Sequence, residues 1–279
     1  MVDEIEVRAG GGRVLHAYDT GVGGVAVMWH HGTPNIGAPP RPLFAAAGRL
    51  GVRFVSYDRP GYGGSTPVPG RSVGSAAVDA VVVADALGLS SFAVFGHSGG
   101  GSHALACAAL LPERVTAAVG VASVAPFAAD GLDWFAGMGP AGEALLRAAA
   151  AGRPAKEAQA ATESMPDFLP ADWAALEGDW GWFGSVVEPA MAAGPGALID
   201  DDLAYVKAWG CDPATIAAPV LLVHGTADLV VPSAHSAWLA GRIGGAQLRL
   251  APGEGHISVL PATAVGALEW LSTTCRGDG

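Results

Sequence analysis

Short apolar runs that alternate with helical patterns constrain this chain more than any other feature of its sequence. The runs that predict strands are 25–32, 53–61, 92–96, 115–123, 218–225 and 247–253. The helical patterns between and after them are 42–50, 73–88, 99–111 and 261–272. Two alternating stretches, 4–9 and 12–20, predict a β-hairpin ahead of them. Alternating strands and helices predict an α/β protein whose mostly parallel sheet has helices on both faces.

Residues 126–210 interrupt this alternation. They are rich in Ala, Gly, Pro and Trp and contain no strand-like run, which predicts a helical insertion between two strands of the sheet. We therefore expect a core of residues 1–125 and 211–279 and a helical cap of residues 126–210. Ligands bind to open parallel sheets beyond the carboxyl ends of the strands, so chemistry is expected there.

Composition and charge restrict the partners and the compartment. Hydrophobic residues make up 51% of the chain and charged residues 15%, which is typical of a globular protein. A net charge of −11 argues against nucleic acid and anionic membrane, so the expected partner is a small-molecule substrate. The apolar run 117–129 is too short to cross a bilayer, and the acidic N-terminus lacks a signal-peptide pattern, so a cytoplasmic location is expected. The oligomeric state stays open.

Cysteine and histidine spacing gives no sign of a metal or a disulfide framework. The three cysteines are far apart and form no Cys-x-x-Cys pair, and no His-Glu-x-x-His pattern occurs. We expect reduced thiols, no metal and no cofactor.

A serine lies at the first turn after the strand 92–96, in the sequence Gly96-His97-Ser98-Gly99-Gly100. A nucleophile on a tight strand-to-helix turn needs small neighbours, and this order supplies them. Gly99, Gly101 and Ala104 also fit the relaxed Gly-x-Gly-x-x-Ala form of a dinucleotide-binding loop. That alternative is weakened because no acid ends the next strand. In a chain with 41 glycines, the motif alone does not decide between the two.

Two further strand ends carry residues that complete a catalytic arrangement with Ser98. Asp228 follows the strand 218–225, and His256 follows the strand 247–253. A histidine can take the proton of a serine hydroxyl, and a carboxylate can hold that histidine in the required tautomer. The order Ser98, Asp228, His256 is the one expected of this geometry. The backbone N–H groups of Thr33 and Gly99 are predicted to form an oxyanion hole, with the Thr33 hydroxyl as a further candidate donor.

With these residues in place, the chain resembles the α/β-hydrolase fold enzymes over residues 5–272. The stretches that carry the resemblance are His31-Gly32-Thr33-Pro34, Asp58 to Ser65, Gly96 to Gly100, Gly225 to Asp228 and Gly253 to His256. The resemblance implies an eight-stranded, mostly parallel sheet with residues 126–210 as the cap. It also implies that Asp58 to Ser65 form a structural turn rather than part of the catalytic machinery.

The resemblance implies a serine hydrolase that cleaves an ester or related acyl bond of a small, largely apolar substrate. Serine at position 98 argues against the dehalogenases and epoxide hydrolases of this fold, which use aspartate there. A prolyl-type aminopeptidase and a cofactor-free haloperoxidase or perhydrolase are the alternatives. A non-enzymatic scaffold of the same fold is disfavoured by the intact triad. The natural substrate and bond type are not determined by the sequence.

The predicted cap contributes aromatic and acidic side chains. Aromatic residues are typical of pockets for apolar ligands, and the candidates here are Trp134, Trp180, Trp182 and Phe183. The acids, among them Asp167, Asp172 and Asp200-Asp201-Asp202, are expected to be solvated surface groups. In the aminopeptidase alternative, acids of the cap would bind the substrate amine. His97 and His103 receive no role from the sequence.

Overall fold

A computed structural model describes residues 2–21, 23–162 and 165–277 of the chain. Its eight strands are β1 (Asp3–Arg8), β2 (Val14–Asp19), β3 (Val25–His30), β4 (Val52–Tyr57), β5 (Phe92–His97), β6 (Val115–Val121), β7 (Val220–Gly225) and β8 (Gln247–Ala251). They form one sheet in the order β1-β2-β4-β3-β5-β6-β7-β8. β2 pairs antiparallel with β1 and β4, and every other pairing is parallel. The predicted hairpin and the predicted parallel sheet are confirmed.

In the described part of the chain, ten α-helices connect and cover these strands. They are α1 (Phe44–Leu50), α2 (Ala76–Ala86), α3 (Gly99–Leu110), α4 (Pro140–Ala150), α5 (Arg153–Ala160), α6 (Pro170–Glu177), α7 (Gly184–Met191), α8 (Gly196–Tyr205), α9 (Ala234–Arg242) and α10 (Val259–Arg276). The sequence did not predict α9, whose nine residues mix apolar side chains with Ser, His and Gly. None of the helices in the described ranges is long and apolar enough to cross a membrane.

Alternating side chains of the strands build two cores, one on each face of the sheet. Met28, Val94 and Leu222 pack with helices α2, α3 and α9. Their neighbours along the strands, including Trp29 and Phe95, pack on the opposite face with α1 and α10. Because successive residues of a strand point to opposite faces, these continuous apolar runs can bury both sides of the sheet.

Helices α4–α8 lie between β6 and β7, and the described part of residues 126–210 contains no strand. A third buried cluster joins this segment to the end of β6 and the loop after β7, through Trp134, Leu146, Ile199, Val124 and Val231. The division of the chain into a core and a separate cap stays a prediction.

Close contact between β5, β3 and the start of α3 depends on glycine. A Cβ at Gly96 would overlap the Gly100 carbonyl, and a Cβ at Gly100 would overlap the His30 carbonyl. These overlaps involve main-chain atoms, which cannot move aside as a flexible side chain can.

We expect Gly100→Ala to lower the free energy of unfolding by about 3 kcal/mol or to prevent folding, because overpacking against fixed main chain is costly. Gly266→Ala is the matched control, since Gly266 lies exposed inside α10 with open space around its Cβ position. That variant should gain about 0.5–1 kcal/mol from the higher helix propensity of alanine. Urea denaturation measures both, and equal effects at the two positions would contradict this account of the packing.

Candidate active site

Ser98 occupies the turn between β5 and α3 with a left-handed backbone, at φ 59° and ψ −133°. A non-glycine residue is strained in this region by about 1–3 kcal/mol, so the surrounding structure must hold it there. Its N–H donates to the Val121 carbonyl at 2.8 Å, and its own carbonyl accepts the Gly101 N–H at 2.9 Å. The side chain is half-buried. The serine hydroxyl is therefore displayed at the carboxyl edge of the sheet by a fixed turn.

The structure brings the three predicted catalytic side chains together in one hydrogen-bonded chain. His256 Nε2 lies 2.9 Å from Ser98 Oγ, and His256 Nδ1 lies 2.7 Å from Asp228 Oδ2. With Nδ1–H donating to the carboxylate, the lone pair of Nε2 is left to accept the proton of the serine hydroxyl. This is the arrangement needed for a histidine to act as a general base.

Asp228 is held as a carboxylate. Its Oδ1 accepts the N–H groups of Val230 and Val231 at 2.8 and 2.9 Å. Burial alone would raise the pKa of Asp228, but the adjacent His256 and His224 and their hydrogen bonds hold that pKa well below its ordinary value. His224 is itself fixed, because its Nε2 donates to the Val231 carbonyl at 2.7 Å. The charge that orients His256 therefore persists across neutral pH.

The loop after β3 lies beside Ser98. A Cβ placed on Gly32 would lie 3.6 Å from Ser98 Cβ. Within the described part of the chain, the N–H of Thr33 has no hydrogen-bond acceptor. Gly99 is the first residue of α3, where N–H groups have no acceptor inside the helix. Both predicted oxyanion donors are thus unpaired N–H groups near the serine, and their role stays a prediction.

A buried ionic network holds the loop that contains Thr33. The Thr33 hydroxyl donates to Asp201 Oδ2 at 2.7 Å and contacts the Tyr205 hydroxyl at 2.7 Å. Arg59 Nη2 donates to the Gly32 carbonyl at 3.0 Å and pairs with Asp201 Oδ2 at 2.7 Å. Arg71 also pairs with Asp201, through Oδ1 at 2.7 Å. The Thr33 hydroxyl is therefore occupied within this network, which leaves only its N–H for an oxyanion.

Four acids expected to be solvated are buried, so that expectation was wrong for Asp172, Asp200, Asp201 and Asp202. Asp201 sits between two guanidinium groups. Burial alone would raise its pKa, but Arg59 and Arg71 hold it well below the ordinary value. Asp202 pairs with the buried Lys156 at 2.8 Å, and Asp200 pairs with Arg71 and Arg153. Charges of the same chain already neutralise the Asp200-Asp201-Asp202 run.

The stretch from Asp58 to Ser65 forms a turn, as the resemblance implied. Asp58 accepts the N–H groups of Gly37 at 2.5 Å and Gly64 at 3.0 Å, and the Tyr18 hydroxyl at 3.0 Å. Its neighbour Arg59 supports the Thr33 loop, a role that the sequence analysis missed. The signal in the sequence was the Asp-Asp-Asp run on an otherwise apolar helix, which indicates that buried cations lie opposite these aspartates.

The two histidines without a predicted role are both buried and neutral. His97 Nε2–H donates to the carbonyl of His256 at 2.9 Å, and His103 Nδ1–H donates to the carbonyl of Gly99 at 2.8 Å. Burial lowers the pKa of each to about 3. Each imidazole therefore donates a hydrogen bond to a main-chain carbonyl and so orients a residue of the candidate site.

The predicted aromatic pocket residues divide into two groups, and all four are buried. Trp180, Trp182 and Phe183 pack on one another, and the Phe183 ring lies 5.8 Å from the His97 ring. Trp134 lies in another cluster, where its Nε1 donates to the Ala125 carbonyl at 2.9 Å. Phe183 thus reaches the residue that precedes Ser98, and the substrate-binding role of all four stays a prediction.

The glycines of the alternative dinucleotide motif belong to the first turn of α3. A Cβ on Gly99 would overlap the Tyr205 hydroxyl, and a Cβ on Gly101 would overlap Ser123 Oγ. Close packing of α3 therefore accounts for these glycines. In the described ranges, no three His, Cys, Asp or Glu side chains converge to hold a metal ion.

Buried histidines make stability depend on pH. Burial lowers the pKa of five of them: His30, His31, His97, His103 and His235. The unfolded chain protonates these groups near pH 6.5, whereas the folded chain does so only at lower pH. As pH falls below about 6.5, the unfolded state binds more protons, and each histidine removes up to about 1.4 kcal/mol of stability per pH unit. Burial raises the pKa of Asp58 and Asp202, the latter to about 6, and these two carboxyls oppose the effect.

We therefore expect the free energy of unfolding to fall between pH 6.5 and 5, since five groups outweigh two. Urea denaturation at several pH values measures this slope. His103→Asn should reduce the slope by up to one proton, whatever its effect on stability at pH 7.5. A free energy that stays constant over this range would contradict the prediction.

Comparisons with known proteins agree with this architecture. The family described as alpha/beta hydrolase fold matches residues 25–263. An epoxide hydrolase from Caballeronia sordidicola is 32% identical over 120 residues, which are 42% of this chain and 36% of that protein. The match therefore spans little more than a third of that curated relative.

Two solved structures show the similarity of fold. The enol-lactonase from Burkholderia xenovorans LB400 aligns with a TM-score of 0.72 at 20% identity, over 96% of this chain and 98% of that one. An esterase from Exiguobacterium antarcticum aligns with a TM-score of 0.71 at 22% identity, over 96% and 98% of the two chains. At these identities the likeness concerns the fold alone.

Proposed function

Because the chain belongs to the alpha/beta hydrolase fold family, we propose that it is a serine hydrolase that cleaves an ester or related acyl bond of a small, largely apolar substrate. The observation that carries this proposal is the continuous hydrogen-bonded chain from Asp228 through His256 to Ser98. A half-buried serine on a strained turn, hydrogen-bonded to a histidine that a buried carboxylate orients, is an activated nucleophile.

The reaction has two halves. Ser98 Oγ attacks the acyl carbonyl carbon while His256 Nε2 takes the hydroxyl proton. The resulting oxyanion accepts hydrogen bonds from the N–H groups of Thr33 and Gly99. When the carbon–oxygen bond to the alcohol breaks, the His256 imidazolium returns the proton to the leaving alkoxide, which leaves an acyl group on Ser98. A water molecule activated by His256 then attacks this acyl-enzyme and releases the acid.

The environment of the site supports an apolar substrate. Phe183 packs against His97, next to the nucleophile, and belongs to the cluster with Trp180 and Trp182. The nearby charges Arg59 and Asp201 are paired with each other. Aromatic surface and internally paired charges favour an uncharged acyl or alcohol group.

Ser98→Ala should lower kcat/KM for short p-nitrophenyl esters by at least about 10³-fold and abolish labelling by a fluorophosphonate probe, because both depend on the serine oxygen. Ser102→Ala is the matched control, since the Ser102 hydroxyl lies one turn along α3 and donates to the Val124 carbonyl. The control should keep its labelling. Ester hydrolysis and labelling that persist in Ser98→Ala would reject Ser98 as the nucleophile.

A substrate panel separates this proposal from the aminopeptidase alternative. Recognition of a substrate amine needs a free carboxylate, but Asp200-Asp201-Asp202 are paired with arginine and lysine side chains. We therefore expect turnover of acyl esters and at least about 100-fold lower kcat/KM for prolyl and alanyl arylamides. Release of the chromogenic product measures both series. A preference for arylamides would favour the aminopeptidase.

A further inference from the structure

The carboxylate of Asp172 connects α6 to the turn that carries His256. Its Oδ1 accepts the N–H groups of Ile257 and Ser258, each at 2.8 Å. Its Oδ2 accepts the N–H of Leu169 at 2.9 Å, at the start of α6. The side chain is buried, and a Cβ at Gly255 would overlap its carboxylate. Asp172 therefore touches the main chain on both sides of His256.

The backbone of His256 is thus fixed by groups from two other elements. His97, at the end of β5, donates to its carbonyl at 2.9 Å. Asp172, in α6, accepts the next two N–H groups along the chain. Within the turn itself, the Ser258 hydroxyl accepts the N–H of Gly255 at 2.8 Å.

The hydrogen bonds of the His256 imidazole require this placement. Ser98 sits on a strained turn and cannot follow a displaced histidine. Asp228 is fixed through the N–H groups of Val230 and Val231. A shift of the His256 backbone therefore lengthens the bond to Ser98, the bond to Asp228, or both. A misplacement of about 1 Å at a reacting group can cost 10²-fold in rate.

From these contacts we infer that Asp172 is a positioning residue for His256, which acts through the main-chain N–H groups of Ile257 and Ser258 and links α6 to the general base. The inference rests on the proposed serine hydrolase function. Hydrogen bonds to an ionised carboxylate are about twice as strong as neutral ones. Without the carboxylate, two buried N–H groups lose their acceptor, and the turn must rearrange to satisfy them. Asp172 does not itself contact Ser98 or Asp228.

The test compares Asp172→Ala and Asp172→Asn with Asp167→Ala as the matched control. Asp167 lies just before α6, and its Oδ2 accepts the N–H of Gly142, in α4, at 2.9 Å. The measurements are kcat and KM for a p-nitrophenyl ester and the downfield proton resonance of the His256 Nδ1–H bonded to Asp228. The resonance reports the geometry of His256 without any turnover.

We expect Asp172→Ala to lower kcat at least about tenfold, to leave KM within about threefold, and to remove or shift the downfield resonance. Asp172→Asn should lower kcat about threefold or more and shift the resonance. The neutral amide of asparagine accepts weaker hydrogen bonds than a carboxylate. Its single oxygen cannot accept the N–H of Leu169 in addition to those of Ile257 and Ser258. Asp167→Ala should keep the wild-type kcat and resonance even where it lowers thermal stability.

A wild-type kcat and resonance in Asp172→Ala would overturn the inference. If that variant does not fold, Asp172→Asn decides, and wild-type values there overturn it equally. Equal losses in Asp172→Ala and Asp167→Ala would assign Asp172 a general structural role instead. Failure of the proposed function is recognised separately, because ester hydrolysis would then survive in Ser98→Ala while the resonance still reports how Asp172 places His256.

Discussion

Contact between the first turn of α3 and the central strands β3 and β5 is the constraint on which the candidate site depends. Main-chain atoms of Gly96, Gly100 and His30 meet without room for a Cβ. The chain can reverse from β5 into α3 within so little space only if residue 98 takes a left-handed conformation, and Ser98 does so at φ 59°. The strain of about 1–3 kcal/mol at this residue is therefore offset by packing of the whole sheet, and the same turn exposes the hydroxyl.

The second constraint is electrostatic. Asp201 is buried between Arg59 and Arg71, and its removal would leave the buried Arg59 without a carboxylate partner at a cost of about 3–5 kcal/mol. Arg59 also donates to the carbonyls of His31 and Gly32, so the ion pair fixes the main chain beside Ser98. A pair of this kind need not add net stability compared with apolar residues of the same shape. Its effect here is to hold one loop conformation.

Much of the fold and the central site residues could be predicted from the sequence. The residues that hold those site residues in place could not. Alternating apolar runs gave the strands and most helices that cover the sheet, because burial on both faces demands such runs. Ser98, Asp228 and His256 were found because each follows its own strand. Helix α9 was missed because its short sequence includes Ser, His and Gly, which have lower helix propensity than Ala or Leu. The roles of Asp172, Asp201 and Arg59 were missed because their partners are main-chain groups or charges distant in sequence, which no local pattern records.

Two aspartates in the segment between β6 and β7 act in the same way, because each holds a loop of the candidate site. Asp201 of α8 holds the loop of Thr33, and Asp172 of α6 holds the turn of His256, both through buried carboxylates. The candidate catalytic side chains follow strand ends, and two of the neighbouring loops are held by side chains of this segment. The Asp172 carboxylate is suited to this purpose, since one side chain accepts the buried main-chain N–H groups of both Ile257 and Ser258. In the proposed hydrolase, the helices between β6 and β7 would therefore contribute to the chemistry by fixing main chain, whether or not their aromatic side chains also contact the substrate.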